Sequence, residues 1–86
     1  MKMKVRVRRQ NMVKIVFRNW KEGLQKVSLT KLQVDMLGKS LKDAKSNVDA
    51  LLNQEEVIIK IDDFNLARLF LKKAEAIGVE CELISI

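Results

Sequence analysis

The stretch LQKVSLTKLQVDML, residues 24–37, decides the fold, because its period matches neither regular element cleanly. Its apolar residues stand at 24, 27, 29, 32, 34, 36 and 37. They do not gather into one helical stripe, and parts of the run alternate as a strand does. Leu, Lys, Gln and Met favour helix, and Gly38 is a sensible C-terminal stop. The pattern alone leaves helix and strand open here.

The chain after Gly38 reads more directly. In SLKDAKSNVDALL, Ser40 is a natural N-cap and Asp43 stands in the first turn, near the positive end of the helix dipole. Leu41, Ala44, Val48, Leu51 and Leu52 form one apolar stripe. EEVIIKI, residues 55–61, reads as a buried-type strand, with Glu55 and Glu56 on a solvated turn. Asp62 or Asp63 then caps a helix from about 64 to 77 that buries Ala67, Phe70, Leu71, Ala74 and Ile77, with Gly78 closing it. VECELISI, residues 79–86, alternates Val79, Cys81 and Leu83 inward with Glu80 and Glu82 outward.

Before residue 24, two runs have the period of a strand. In MVKIVFR, residues 12–18, Val13, Ile15 and Phe17 share a face opposite Met12, Lys14, Val16 and Arg18. In residues 2–8, basic and apolar side chains alternate, and Gln10 and Asn11 would turn the first run back onto the second. The alternative for residues 1–11 is a basic tail. NWKEG, residues 19–23, reads as a loop, with Trp20 covering the rim of the core. The expected fold class is α+β: a two-layer β-α-α-β-α-β domain over residues 12–86, an antiparallel sheet with helices on one face, and an extra N-terminal strand.

Composition limits function. Eighty-six residues make one small domain, and nearly half are apolar, which argues against disorder. Cys81 is the only cysteine, so no internal disulfide can form, and a reducing, cytoplasmic setting is expected. No apolar run approaches membrane-spanning length, and the basic N-terminus lacks the apolar segment of a secretory signal. The absence of His removes the usual general base near neutral pH and the commonest metal ligand. No phosphate-binding glycine loop or calcium loop is present. The adjacent Asp62 and Asp63 suit capping better than paired acid–base work. The expectation is a protein that is not an enzyme and takes no cofactor or metal.

The formal charge of +6 is uneven: +8 over residues 1–26, +1 over 27–54 and −3 over 55–86. Lys2, Lys4, Arg6, Arg8 and Arg9 could attract nucleic acid or a ribosome non-specifically, with strong salt dependence. The same charges could instead protect a sheet edge from aggregation. Aromatic platforms for single strands are sparse: Phe17, Trp20, Phe64 and Phe70 are the only aromatic residues.

KVSLTKLQVDMLGKSLKDAK, residues 26–45, resembles the C-terminal domain of the bacterial ribosomal stalk protein. That family has a helix beginning Lys-Val, a closing Gly, and a Gly-x-Gly-Leu-Lys-Glu-Ala-Lys pattern opening the next helix. Gly38, Leu41, Lys42, Asp43, Ala44 and Lys45 fit the pattern without a gap, and LKKAEAIGVECELI looks like the family's last helix, Gly and strand. The resemblance implies that residues 24–37 are helical. It also implies a partner-binding face on the first two helices, with Val27, Lys31, Gly38, Lys42 and Lys45 at matching positions. Thr30, Val34 and Ser40 depart from the family, and the chain lacks its acidic character and Ala-rich hinge. KIVFRN and EEVIIKI are also similar to the Clp-protease adaptor ClpS, which shares the fold. Asn19 matches that adaptor's Asn, whereas Trp20 replaces its Asp and no His is available, so recognition of N-terminal residues is not expected. The leading expectation is a protein-interaction module that meets an acidic or mixed protein partner. Nucleic-acid association and a ClpS-like adaptor role are the alternatives, and a monomer or weak dimer is expected.

Overall fold

A computed structural model describes residues 12–85. Six elements follow one another: β1 (Val13–Trp20), α1 (Lys26–Leu37), α2 (Leu41–Leu52), β2 (Val57–Ile61), α3 (Phe64–Ala76) and β3 (Val79–Ser85). The order is the expected β-α-α-β-α-β, and the sheet is antiparallel in the order β2-β1-β3.

The alternation in the first described strand sets the layers. Val13, Ile15 and Phe17 are buried on the helix side. They stand opposite Ile61, Ile59 and Val57 on β2, and opposite Ser85, Leu83 and Cys81 on β3. The helices cover that side with Leu29, Ala44, Val48, Leu51, Ala67, Phe70 and Ala74. Phe17 and Phe70 meet across the layers with ring centroids 6.2 Å apart and an interplanar angle of 10°. This stacked pair adds to the area it removes from water.

The undecided stretch is a helix from Lys26 to Leu37. Its irregular pattern has a physical cause: Gln33 occupies a fully buried core position. Gln33 Nε2 donates to the carbonyls of Leu29 (3.3 Å) and Ala44 (3.2 Å), and its Oε1 accepts from Asn47 Nδ2 at 2.8 Å. Burial of a carboxamide is tolerated because its polar atoms are partnered. Gly38 then adopts φ 67° as the left-handed cap. The caps of α2 and α3 are those expected: Ser40 Oγ accepts from the Asp43 N–H at 3.0 Å, and Asp63 Oδ1 accepts from the Leu66 N–H at 3.1 Å.

Three local expectations are corrected. β1 runs on through Asn19 and Trp20, because an irregularity after Phe17 re-registers the strand so that they pair with Glu80 and Val79. Leu41 is 56% exposed instead of joining the buried stripe, since it opens α2 beyond the edge of the core. β2 is an edge strand with one open face, on which Ile58 is exposed, so its burial alternates. The extra strand expected over residues 2–8 and the turn at Gln10 and Asn11 lie outside the described residues. β1 itself is flanked on both sides, by β2 and by β3.

The loop between β1 and α1 is joined to the turn between α3 and β3. The Lys21 N–H donates to the Gly78 carbonyl at 2.8 Å and the Gln25 N–H to the Ile77 carbonyl at 3.0 Å. Gly78 has φ 107°, and a Cβ there would lie 2.9 Å from the Leu24 Cα. Glycine is therefore required at this position for both conformation and space. This junction fixes where α1 begins.

Candidate partner-binding face

α1 and α2 form an antiparallel pair held by the Gln33–Asn47 hydrogen bond and by shared burial of Leu29, Ala44 and Val48. Near the start of α1 and the end of α2, a shallow groove of about 250 Å³ opens on their outer side. Val27, Thr30 and Leu52 supply its less polar lining, while Lys26, Lys45 and Asp49 supply charge. The Thr30 hydroxyl donates back to the Lys26 carbonyl at 3.1 Å, so its donor is occupied within the helix.

Val27 is 76% exposed, the most exposed large apolar side chain among the described residues. At that exposure it does little for the core, although it is a β-branched residue inside a helix. Of the residues expected at a partner face, Val27 and Lys45 meet in the groove. Lys31 and Lys42 are exposed, but they lie outside the lining of the groove. Gly38 sits at the turn between the helices with open space where a Cβ would stand, so its role there is the left-handed stop.

The other singled-out residues have local explanations. Cys81 is half-buried on the helix side of β3, and burial, followed by the charge of Glu75, pushes its thiol up to about 12. A thiol so raised is a poor nucleophile near neutral pH. Asp63 caps α3. Asn19 Oδ1 accepts from the Trp20 N–H at 2.9 Å, which ties the residue matching the adaptor's Asn to its own backbone. Trp20 packs against the rim of the core as expected, with Nε1 buried and without an acceptor among the described residues. Among the described residues no cluster of three His, Cys, Asp or Glu side chains could hold a metal, and no helix is long and apolar enough to cross a membrane.

No known protein family, curated protein or solved structure matches this chain. The likeness to the stalk domain and to the adaptor thus rests on the quoted residues alone. Lys2, Lys4, Arg6, Arg8 and Arg9 lie outside the described residues.

Two features escaped the sequence reading. One is the buried Gln33–Asn47 pair; its trace is that Leu29, Leu32 and Met36 stand at i, i+3 and i+7, with Gln33 interrupting the stripe. The other is on the open face of the sheet. Arg18 Nε donates to Glu82 at 2.7 Å and its Nη1 to Glu56 at 2.9 Å, tying the three strands together. The hydrogen bond and charge of Glu82, with a smaller contribution from Glu56, raise the Arg18 pKa above its ordinary value. Those partners come from β3 and from just before β2, so no local pattern could bring them together.

Proposed function

We propose that this chain is a non-enzymatic protein-interaction module that binds an acidic or mixed protein segment through the outer face of α1 and α2. The observation that carries this reading is Val27, largely exposed at the lip of a groove it shares with Lys45. A partner would insert a small apolar side chain beside Val27 and Leu52, with acidic residues approaching Lys26 and Lys45. Lys31 and Lys42, exposed farther along the two helices, would steer its approach and set its orientation. The resemblance of residues 26–45 to the ribosomal stalk domain supports the same face. A cytoplasmic location suits the single unpaired thiol.

Selection of short peptides from a displayed library against the full chain tests the proposal. The expected binders combine an apolar residue with flanking Asp or Glu, and they perturb backbone resonances of Val27, Lys45 and Leu52. Val27→Asp with Lys45→Glu should abolish their binding while leaving the fold intact. Peptides that bind that double variant as well as the parent would overturn the assignment.

A further inference from the structure

Among the described residues the sheet has two unpaired edges, β2 and β3, and they differ in charge. On the open face, β2 carries Ile58 and Lys60, and the groove beside this strand is also lined by Lys39 and Asp62, leaving it basic on balance. β3 carries Glu80 and Glu82, and a groove of about 650 Å³ along it is also lined by Glu75 and by the cations Arg18 and Lys21, leaving it acidic on balance. Arg18 is already engaged by Glu82 and Glu56, while Glu75 and Glu80 form no ion pair among the described residues. On the helix side of β3, Cys81 and Leu83 are only half-buried, although Phe17 and Ile15 opposite them are fully buried. One more strand at this edge would cover Cys81 and Leu83.

The sequence contains a run with the period of a strand and the complementary charge. Residues 2–8 alternate Lys2, Lys4, Arg6 and Arg8 with Met3, Val5 and Val7. Both sides of β1 are taken by β2 and β3. We propose that the free edge of β3 pairs with residues 2–8 of a second copy of this chain. Met3, Val5 and Val7 would lie beside Cys81 and Leu83, and the basic residues would face Glu80 and Glu82.

Chain direction favours the second copy over the same chain. Val13 begins β1 opposite Ser85, near the end of β3. To reach the outer edge of β3, the chain's own segment would have to reverse within residues 9–12 and pass that end, and it would then run parallel to β3. A segment from another copy meets β3 antiparallel, the slightly stronger pairing. Two copies that exchange these segments about a two-fold axis fill the β3 edge of each copy and close the exchange. The opposite charges across the pairing select β3 over β2, where Lys60 would repel them.

The molar mass of the full chain in solution, measured by light scattering across a concentration series, tests this. The expected result is the mass of two chains. Adjacent residues of a strand direct their N–H groups to opposite sides, so Val5→Pro with Arg6→Pro must remove a bond to β3 and should return the mass of one chain with an unchanged circular dichroism spectrum. Glu80→Lys should weaken dimerisation about five- to tenfold at low salt, because each dimer contains the contact twice. Adding Glu82→Lys together with Lys4→Glu and Arg6→Glu to that variant should restore it. A single-chain mass at every concentration overturns the proposal, including the case in which the chain's own segment fills the edge. A dimer indifferent to both sets of changes places the contact elsewhere and overturns it equally.

Discussion

Gln33 shows how one residue can hide an element from its sequence. A polar side chain at a core position breaks the apolar stripe by which α1 would have been read, yet two of its three hydrogen bonds, to Ala44 and Asn47, secure α1 to α2. Gln33→Ala leaves a cavity and unpaired groups and should cost about 2–4 kcal/mol in urea unfolding. Gln33→Leu keeps the volume, and half-buried Asn47 can turn to water, so it should cost less than about half as much. Equal losses in the two variants would mean that the hydrogen bonds outweigh the packing. Cys81 gives a second prediction at this scale. Its thiol ordinarily titrates at 9.0 and is pushed up to about 12 by burial and by Glu75. The folded state therefore holds the thiol proton more tightly than the unfolded chain does. The resulting stabilisation is whole below pH 9 and is lost as pH rises through about 12. Urea midpoints measured from pH 7 into the alkaline range should fall more steeply for the parent than for Cys81→Ala; parallel curves would refute the account.

Among the elements, those with strong local signals were legible and those defined by distant partners were not. α2 and α3 have side-chain caps, Ser40 and Asp63, and regular stripes, and both formed where the sequence placed them. α1 starts at Lys26, and its N-cap residue Gln25 makes no side-chain cap bond; its beginning is set instead by the junction of Leu24 and Gln25 with the α3–β3 turn. β1 extends past its apparent end because Glu80 and Val79 continue the ladder, which no pattern within residues 19–23 records. The two capping glycines separate these causes experimentally. Gly38 has open space where a Cβ would stand, so only its positive φ opposes a side chain, and Gly38→Ala should cost about 1 kcal/mol. Gly78 has both positive φ and the Leu24 backbone within 2.9 Å of a Cβ. Gly78→Ala should cost about 2–4 kcal/mol and should also loosen the start of α1, seen as faster amide exchange at Gln25. Equal costs for the two substitutions would show that the close approach relaxes freely.

At the scale of the whole molecule, the layer order followed from alternation and stripes, but the strand order did not. The run Val57-Ile58-Ile59 looks like an interior strand because Ile58 adds an apolar side chain on the open face, yet β2 lies at an edge. The central strand is instead β1, and its two neighbours come from much later in the chain. The candidate face was reached through a resemblance, and its groove depends on how α1 crosses α2, which residue types alone do not specify. The central position of β1 makes the fold cooperative from end to end. Without β3, one side of β1 has no ladder, Val79 leaves the core, and Phe17, Trp20 and Phe70 lose cover. Each fully buried apolar side chain contributes about 1.5–3 kcal/mol, against a total stability of about 4–13 kcal/mol for a chain of this length. Loss of β3 should therefore consume most or all of that stability. A chain ending at Gly78 is expected to lack a cooperative thermal transition and to bind a dye specific for exposed apolar surface, whereas Ile84→Ser, on the open face, should keep a sharp transition. A cooperative transition in the shortened chain would mean that β1 and β2 with three helices form a core of their own, and that β3 is an addition to it.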